Sequence, residues 1–275
     1  MTHRRFVLWI ALILALVATA CSGGGEGGTE GGGEGGGKEA GLTILEATFA
    51  QDVSEDMEPI NPTTSFTPEQ TVNLLLTIKG RPKEGEVLAR FYVRDQEIAS
   101  ATVDLAEANE GVIFSIGENT RVYFTLTPTE PLPVSPNYRA EVFLNGSPAG
   151  TYTFAVVPPP EAIPSRLIEV TLAKGVKETP ETYEPVEPTT TFASDDAVYV
   201  VGVADMGKYS RLEVNWYVGG QLVEDATRSL TAQEDLPEAG FYFVFQPEAG
   251  WPAGEHQVVL LLNDEEVQRL TFTVR

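Results

Sequence analysis

The chain has 275 residues, with 18 basic and 40 acidic side chains and a formal net charge of −22. Such an acidic surface repels nucleic-acid phosphates and anionic lipid headgroups, which argues against DNA or RNA as a partner. The single cysteine rules out an internal disulfide, so an apolar core must stabilise each folded domain.

The first 20 residues have the three parts of an export signal. Arg4 and Arg5 form a positive start, residues 6–17 are an apolar run, and small residues follow. A run of about a dozen residues is shorter than the roughly 20 that a membrane-spanning helix needs. We therefore expect a cleaved signal peptide at residues 1–20.

The stretch Ala18-Thr19-Ala20-Cys21 resembles the lipobox of bacterial lipoproteins. In that family the chain is cut before the cysteine, here between Ala20 and Cys21, and the cysteine is acylated, with palmitate as a typical chain. The family prefers leucine where this chain has Ala18. The same residues also fit ordinary signal peptidase, which would release a secreted protein with a free N-terminal cysteine. The resemblance implies an extracytoplasmic lipoprotein, anchored to a bacterial membrane in the cell envelope or at the cell surface.

Residues 21–41 consist of Cys21, Ser22 and a stretch that reads GGGEGGTEGGGEGGGKEAG. Glycine at this density predicts a flexible, solvated coil. We interpret it as a tether that lifts the folded part off the membrane. The leader holds two of the 18 basic residues and none of the acidic ones, so the remainder has 16 basic and 40 acidic side chains, a formal charge of −24.

From Leu42 onward the chain has strand patterns and almost no helical periodicity. In residues 72–78 and 87–93, apolar side chains recur at every second position, as in a strand with one buried face. Asn145-Gly146 is a strong hairpin signal. The pattern predicts an all-β fold. Further strands are expected at 42–49, 98–103, 111–115, 121–127, 138–144 and 151–157.

The second half of this region repeats the first. Glu46-Ala47-Thr48-Phe49-Ala50 returns as Glu169-Val170-Thr171-Leu172-Ala173, and Phe91-Tyr92-Val93 returns as Trp216-Tyr217-Val218. Further matches stay in order, with offsets between 118 and 126. We predict two copies of one module, the first module at 42–157 and the second module at 166–275. The proline-rich linker at 158–165 predicts an extended, semi-rigid spacer that holds the modules apart.

Each module has about seven short strands in about 110 residues, which is typical of a two-sheet sandwich. The repeated segments resemble immunoglobulin-like or fibronectin type III-like domains of bacterial surface proteins that lack the cysteine pair. The resemblance implies that Trp216, and Phe91 in the first module, are core aromatics. It also implies that Tyr138 forms the tyrosine corner at the start of strand F, where the second module has His256.

Candidate chemical residues are few. No nucleophile, P-loop, zinc-protease or dinucleotide motif is present, so we expect no enzyme activity and no cofactor. Asp195, Asp196 and Asp264 are acidic loop residues that offer oxygen ligands for calcium, although no spaced calcium loop surrounds them, and solvated acidic turns are the alternative. Tyr92, Tyr217 and Trp251 form a candidate ligand surface for stacking on sugar rings, the alternative for Trp251 being that it covers the end of the sandwich.

Together these features predict a lipid-anchored protein that displays two immunoglobulin-like modules for binding, adhesion or envelope architecture, with a protein or glycan ligand. One alternative is a solute-binding lipoprotein of a transporter, although such proteins usually alternate strands with helices. The other is an accessory subunit of a secreted enzyme or of an envelope complex.

Overall fold

The computed structural model describes residues 42–106, 113–116, 118–180 and 182–275. The leader, the tether and the predicted cleavage and acylation site at Ala20 and Cys21 lie outside the described residues. In the described part, the chain is all-β, with twenty strands and one 3-10 turn at Glu224–Ala226. No helix there is long and apolar enough to cross a bilayer.

Ten strands belong to the first module and form two five-stranded sheets. One sheet has the order β2-β1-β4-β8-β7 and the other β3-β10-β9-β5-β6. In chain order these strands are β1 Ile44–Val53, β2 Pro59–Pro62, β3 Ser65–Phe66, β4 Val72–Ile78, β5 Glu86–Val93, β6 Gln96–Asp104, β7 Ile113–Ile116, β8 Asn119–Leu126, β9 Ser135–Leu144 and β10 Ser147–Val156.

The other ten strands belong to the second module and also form two sheets. One has the order β12-β11-β14-β18 and the other β13-β20-β19-β15-β16, with β17 pairing with β15 as well. These strands are β11 Arg166–Glu178, β12 Tyr183–Pro188, β13 Thr191–Phe192, β14 Val198–Met206, β15 Arg211–Val218, β16 Gln221–Leu222, β17 Arg228–Thr231, β18 Leu236–Phe245, β19 Gly254–Leu262 and β20 Glu265–Val274.

The strand order is that of the immunoglobulin fold. In the first module, β1-β4-β8-β7 corresponds to A-B-E-D, and β10-β9-β5-β6 corresponds to G-F-C-C′. The second module repeats A-B-E as β11-β14-β18 and G-F-C as β20-β19-β15. It differs at two places. Beside β15, the strands β16 and β17 take the position of β6, and no strand in its described residues occupies the D position beside β18.

The core of each sandwich lies between the inward faces of its two sheets, as the period-two pattern predicts. Phe91 and Trp216 are among the largest fully enclosed side chains, with Trp216 0% exposed. Trp216 packs against Phe245 and Trp251, with ring centroids 5.6 and 6.3 Å away. The predicted role of both aromatics as core residues is confirmed.

The tyrosine corner is also confirmed. The Tyr138 hydroxyl donates a hydrogen bond of 2.8 Å to the Pro133 carbonyl, which ties the start of β9 to the preceding loop. His256 is buried at the same register position in the second module, where its Nε2 lies 2.8 Å from the Pro252 carbonyl. A buried imidazole therefore replaces the tyrosine in fixing that loop.

The expectation of an extended linker that holds the modules apart is wrong. The linker turns back on itself, because the Ala162 amide donates to the Pro159 carbonyl at 3.0 Å. The Ile163 amide then donates to Asp235 of the second module at 3.2 Å. The modules are in direct contact, because the Tyr209 hydroxyl donates to Glu69 and a cluster of charged residues links the two sandwiches.

Candidate interaction sites

Tyr92 and Tyr217, proposed above as a sugar-stacking surface, are both half-buried and each is covered by an arginine. The Arg139 guanidinium lies 4.5 Å from the ring centroid of Tyr92, and that of Arg269 lies 5.9 Å from the ring of Tyr217. The Tyr92 hydroxyl also bonds to Glu97 at 3.2 Å. One face of each ring is therefore occupied by a cation. Only the opposite faces are available to a ligand.

Trp251 does not belong to a ligand surface. It is 3% exposed, and its indole N–H donates to the Asp196 carbonyl at 2.9 Å. Its ring packs against Phe245 and Phe272, with centroids 5.4 and 5.1 Å away. The alternative interpretation, in which this tryptophan closes the end of the sandwich, is correct. Burying so large an aromatic ring stabilises the fold more than leaving it exposed to water.

The three acidic residues considered as calcium ligands do not meet. Asp196 accepts the Ala193 amide at 2.7 Å and pairs with Lys174 at 2.7 Å. The Lys174 hydrogen bond, together with the Ala193 amide, holds the pKa of Asp196 below its usual value. Asp195 is the neighbouring residue in the same loop. Asp264 is elsewhere, where it pairs with Arg94 of the first module. In the described ranges, no three side chains of His, Cys, Asp or Glu converge as metal ligands would.

Asp264 instead forms part of an ion cluster between the modules. Arg94, in the turn after β5, extends from the first module and pairs with Glu213 at 3.1 Å and with Asp264. The Ser135 hydroxyl donates to Asp264 at 2.5 Å. Arg211 completes the cluster, because its guanidinium lies 2.6 Å from Glu213. Glu213 is only 3% exposed, so these arginines compensate the cost of burying its charge.

Three charged residues of this cluster have uncharged counterparts in the other module. By the strand registers, Glu213 corresponds to Leu88 in the first module, and Asp264 corresponds to Gly146. Arg94 corresponds in turn to Gly219 of the second module. At these three positions, therefore, the charge is present only in the module that uses it at the junction. The sequence signal was a glutamate at an apolar position of a repeated strand, and it is visible only when the copies are aligned by register.

Another aromatic cluster, which no sequence pattern predicted, lies on the outer face of the sheet β12-β11-β14-β18. Tyr183 meets Tyr242 edge to face, with ring centroids 4.9 Å apart, and Tyr199 lies 6.4 Å from Tyr242. Tyr242 and nearby Val244 are exposed. These side chains come from three strands whose outward positions alternate with core positions, so no local motif marks them as a group.

Comparisons with known proteins add little to this picture. The sequence matches no protein-family model and no curated protein. Among solved structures, an immunoglobulin-like protein from Pseudomonas aeruginosa is 16% identical, with a TM-score of 0.29, and the match covers 41% of this chain and 98% of that one. A β-D-mannosidase from Dictyoglomus thermophilum is 8% identical, with a TM-score of 0.22, over 85% of this chain and 36% of the enzyme. Neither TM-score is high enough to support an argument, so the assignment of the fold rests on the strand order.

Proposed function

We propose that this chain is a lipid-anchored, extracytoplasmic protein that displays two immunoglobulin-like modules for binding, adhesion or envelope architecture, without catalysis. Acylation of Cys21 would fix the N-terminus to a bacterial membrane, and the glycine-rich tether would separate the folded modules from it. A covalent lipid with more than one acyl chain provides stable attachment, whereas a single chain does not.

The observation that carries this proposal is the position of the N-terminal entry relative to the junction between the modules. Leu42 lies beside Gly85 and the Asn145 turn, at the start of β5. Arg94 follows the other end of β5, about 25 Å away for eight residues of strand. The junction with the second module is therefore at the end of the first module that is remote from Leu42. With a lipid on Cys21, this order would put the first module between the anchor and the second module, which suits a display function.

The all-β architecture supports display over the solute-binding alternative. Solute-binding lipoproteins usually enclose their ligand between lobes that alternate strands with helices. In the described residues, the sandwiches are filled by their own apolar side chains, including Phe66, Phe91 and Trp216. An accessory subunit of a secreted enzyme or envelope complex would use the same exposed surfaces, and co-purification of a stable partner from membrane extracts would indicate that role.

The anchoring part is tested by fractionating cells that express the full chain with its leader. We expect the protein in the membrane fraction and incorporation of labelled palmitate. Cys21→Ala should lose the label and move to the soluble or secreted fraction, whereas Ser22→Ala should behave as the parent protein. Retention of Cys21→Ala in the membrane would show that the lipid is not the anchor.

A further inference from the structure

The edge of β18 in the second module is open, whereas the corresponding edge in the first module is covered. In the first module, β7 pairs with β8, matching Ile113 with Val122 and Ile116 with Asn119. The segment that replaces β7 in the second module contains β17, but β17 pairs with β15 in the opposite sheet. As a result, β18 pairs with β14 on one side, and no described strand pairs with its other side.

Beyond Pro237 and Glu238 near its beginning, β18 lacks the protection that most other sheet edges have. β2 and β12 contain prolines at both ends or within the strand, β6 carries Glu97 and Asp104, and β3 and β13 have two residues each. Proteins use such prolines, charges and short strands to prevent pairing with other chains. β18 has ten residues, and the nine residues from Ala239 to Pro247 carry no charge. Along this run, the backbone groups on the open side have no strand partner in the described residues, which leaves them to an incoming strand.

A groove of about 490 Å³ runs beside this edge, between β18 and β17. Gly240 to Val244 form one wall, with Tyr183 of β12 beside them, and Arg228 and Leu230 of β17 form the other. Leu230, Tyr242 and Val244 are all exposed, so the groove offers apolar surface to alternate side chains of a strand. Among the described residues, the Arg228 guanidinium donates to the backbone carbonyls of Asp225 and Thr227, each at 2.8 Å, and no carboxylate there pairs with it. Its charge can therefore meet the carboxylate of a ligand.

We propose that β18 binds an extended peptide segment of a partner protein, which adds to the sheet as the missing D strand. Strand addition of this kind obtains affinity from main-chain hydrogen bonds and specificity from pockets for alternate side chains. The groove and the corresponding strand of the first module indicate the chemistry of this segment. We expect an uncharged run of about five residues with apolar side chains at alternate positions. A carboxylate next to this run would pair with Arg228. This inference rests on the proposed function, in that it identifies the kind of partner that the displayed module binds.

A second copy of this chain fits the groove less well than a single strand. If two β18 strands paired with each other, each copy would bring Pro237 and Glu238 to the shared edge, and a proline and a charge on an edge strand oppose pairing. A free segment of about five residues needs only the uncharged run that follows them.

The test uses the full chain and a synthetic peptide with the sequence of residues 110–118, Glu-Gly-Val-Ile-Phe-Ser-Ile-Gly-Glu, which contains the segment that covers this edge in the first module. We expect saturable binding by fluorescence anisotropy, and slower hydrogen exchange of the β18 amides when the peptide is present. The same peptide with proline in place of its serine should not bind, because proline cannot donate to the sheet and clashes with pairing.

Val244→Lys, on the open edge, should weaken peptide binding by about tenfold or more. Val267→Lys is the matched control, because Val267 is about equally exposed on the opposite sheet (40% against 43%). This control substitution should leave the affinity unchanged.

Equal effects of the two substitutions on peptide affinity, or no slowing of hydrogen exchange in β18, would overturn the proposal. So would a concentration-dependent dimer that Val244→Lys abolishes, because it would make a second copy the occupant. These results do not depend on whether Cys21 is acylated, so failure here is distinguishable from failure of the anchoring proposal.

The carboxylate is tested separately with a peptide in which both glutamates are glutamine. It should bind the parent protein more weakly than the acidic peptide does, and the two peptides should bind Arg228→Gln equally. An identical affinity of both peptides for the parent protein would contradict the role of Arg228.

Discussion

Arg94 of the first module forms an ion pair with Glu213 of the second, at 3.1 Å between Nη1 and Oε2. The arginine is 35% exposed and the glutamate 4% exposed at the side chain, so the pair is shielded from solvent mainly on the second module's side. Screening by water is weaker there than at an open surface, so the pair couples the two sandwiches more strongly than an exposed pair would. We therefore expect the stability of each module to depend on its contact with the other.

We predict that Arg94→Met and Glu213→Gln are coupled in a double-mutant cycle by about 0.5–3 kcal/mol of the free energy of unfolding. Either single change removes the ion pair and leaves buried polar groups of the cluster with poorer partners. Tryptophan fluorescence in a denaturant titration reports the second module, because Trp216 and Trp251 are the tryptophans beyond the leader.

The control for this cycle is Lys177→Met with Glu184→Gln, an ion pair of 3.0 Å in the same module with side chains 66% and 55% exposed. Because water and salt screen that pair, its coupling should stay below about 0.5 kcal/mol. Coupling energies of similar size in the two cycles would mean that the junction contributes no more than an ordinary surface contact.

The sequence predicted the fold well because the fold depends on local, repeated signals. Period-two alternation identified the main strands of the first module, and the comparison of copies placed Trp216 and Tyr138 correctly. The junction escaped prediction because its contacts join residues 119 and 170 positions apart, as in Arg94–Glu213 and Arg94–Asp264. No period or motif marks such pairs. Trp251 was uncertain for a related reason: whether a ring beside a glycine turn is enclosed depends on strands that are distant in sequence.

The tyrosine corner predicts a cost for removing a single hydroxyl. Tyr138→Phe should destabilise the first module by about 0.5–1.5 kcal/mol, because it removes the hydrogen bond from the hydroxyl to the Pro133 carbonyl. Burial also raises the pKa of Tyr138 well above its usual value. The unfolded chain releases this proton above about pH 10 while the folded chain keeps it, so the hydroxyl's burial disfavours folding as the pH rises past that value.

Calorimetry checks both parts of that expectation. At neutral pH the variant should unfold at a lower temperature than the parent, and above about pH 10 the difference between them should shrink. A difference that stays constant between neutral and alkaline pH would mean that Tyr138 ionises as readily in the folded chain as in the unfolded one.

The core of the second module predicts a large effect at Trp216. Trp216→Ala should cost about 3–5 kcal/mol, because it removes buried surface and leaves a cavity among Phe245 and Trp251. Trp216→Phe should cost less, since the indole N–H has no hydrogen-bond partner in the described residues and its loss leaves no orphaned acceptor. Val244→Ala, at an exposed position, should change stability by no more than about 0.5 kcal/mol. An unchanged melting temperature for Trp216→Ala would place the ring outside the core.

Asp205 holds the beginning of the open strand β18 and makes its stability depend on pH. Its carboxylate accepts the Glu238 amide at 2.9 Å and pairs with Arg166 at 2.8 Å. The Glu238 amide and, after it, Arg166 hold the pKa of Asp205 below its usual value. A carboxyl with a depressed folded pKa stabilises the fold above its unfolded pKa of about 4 and loses that contribution as the pH falls through the folded value.

Asp205→Asn should therefore lower the midpoint of denaturant unfolding at about pH 7. The gap between the midpoints of the variant and the parent should close below about pH 4. Arg166→Met keeps the amide contact and should show a smaller gap of the same kind. If the gap for Asp205→Asn were equally wide at both pH values, the charge of Asp205 would have no part in holding the strand.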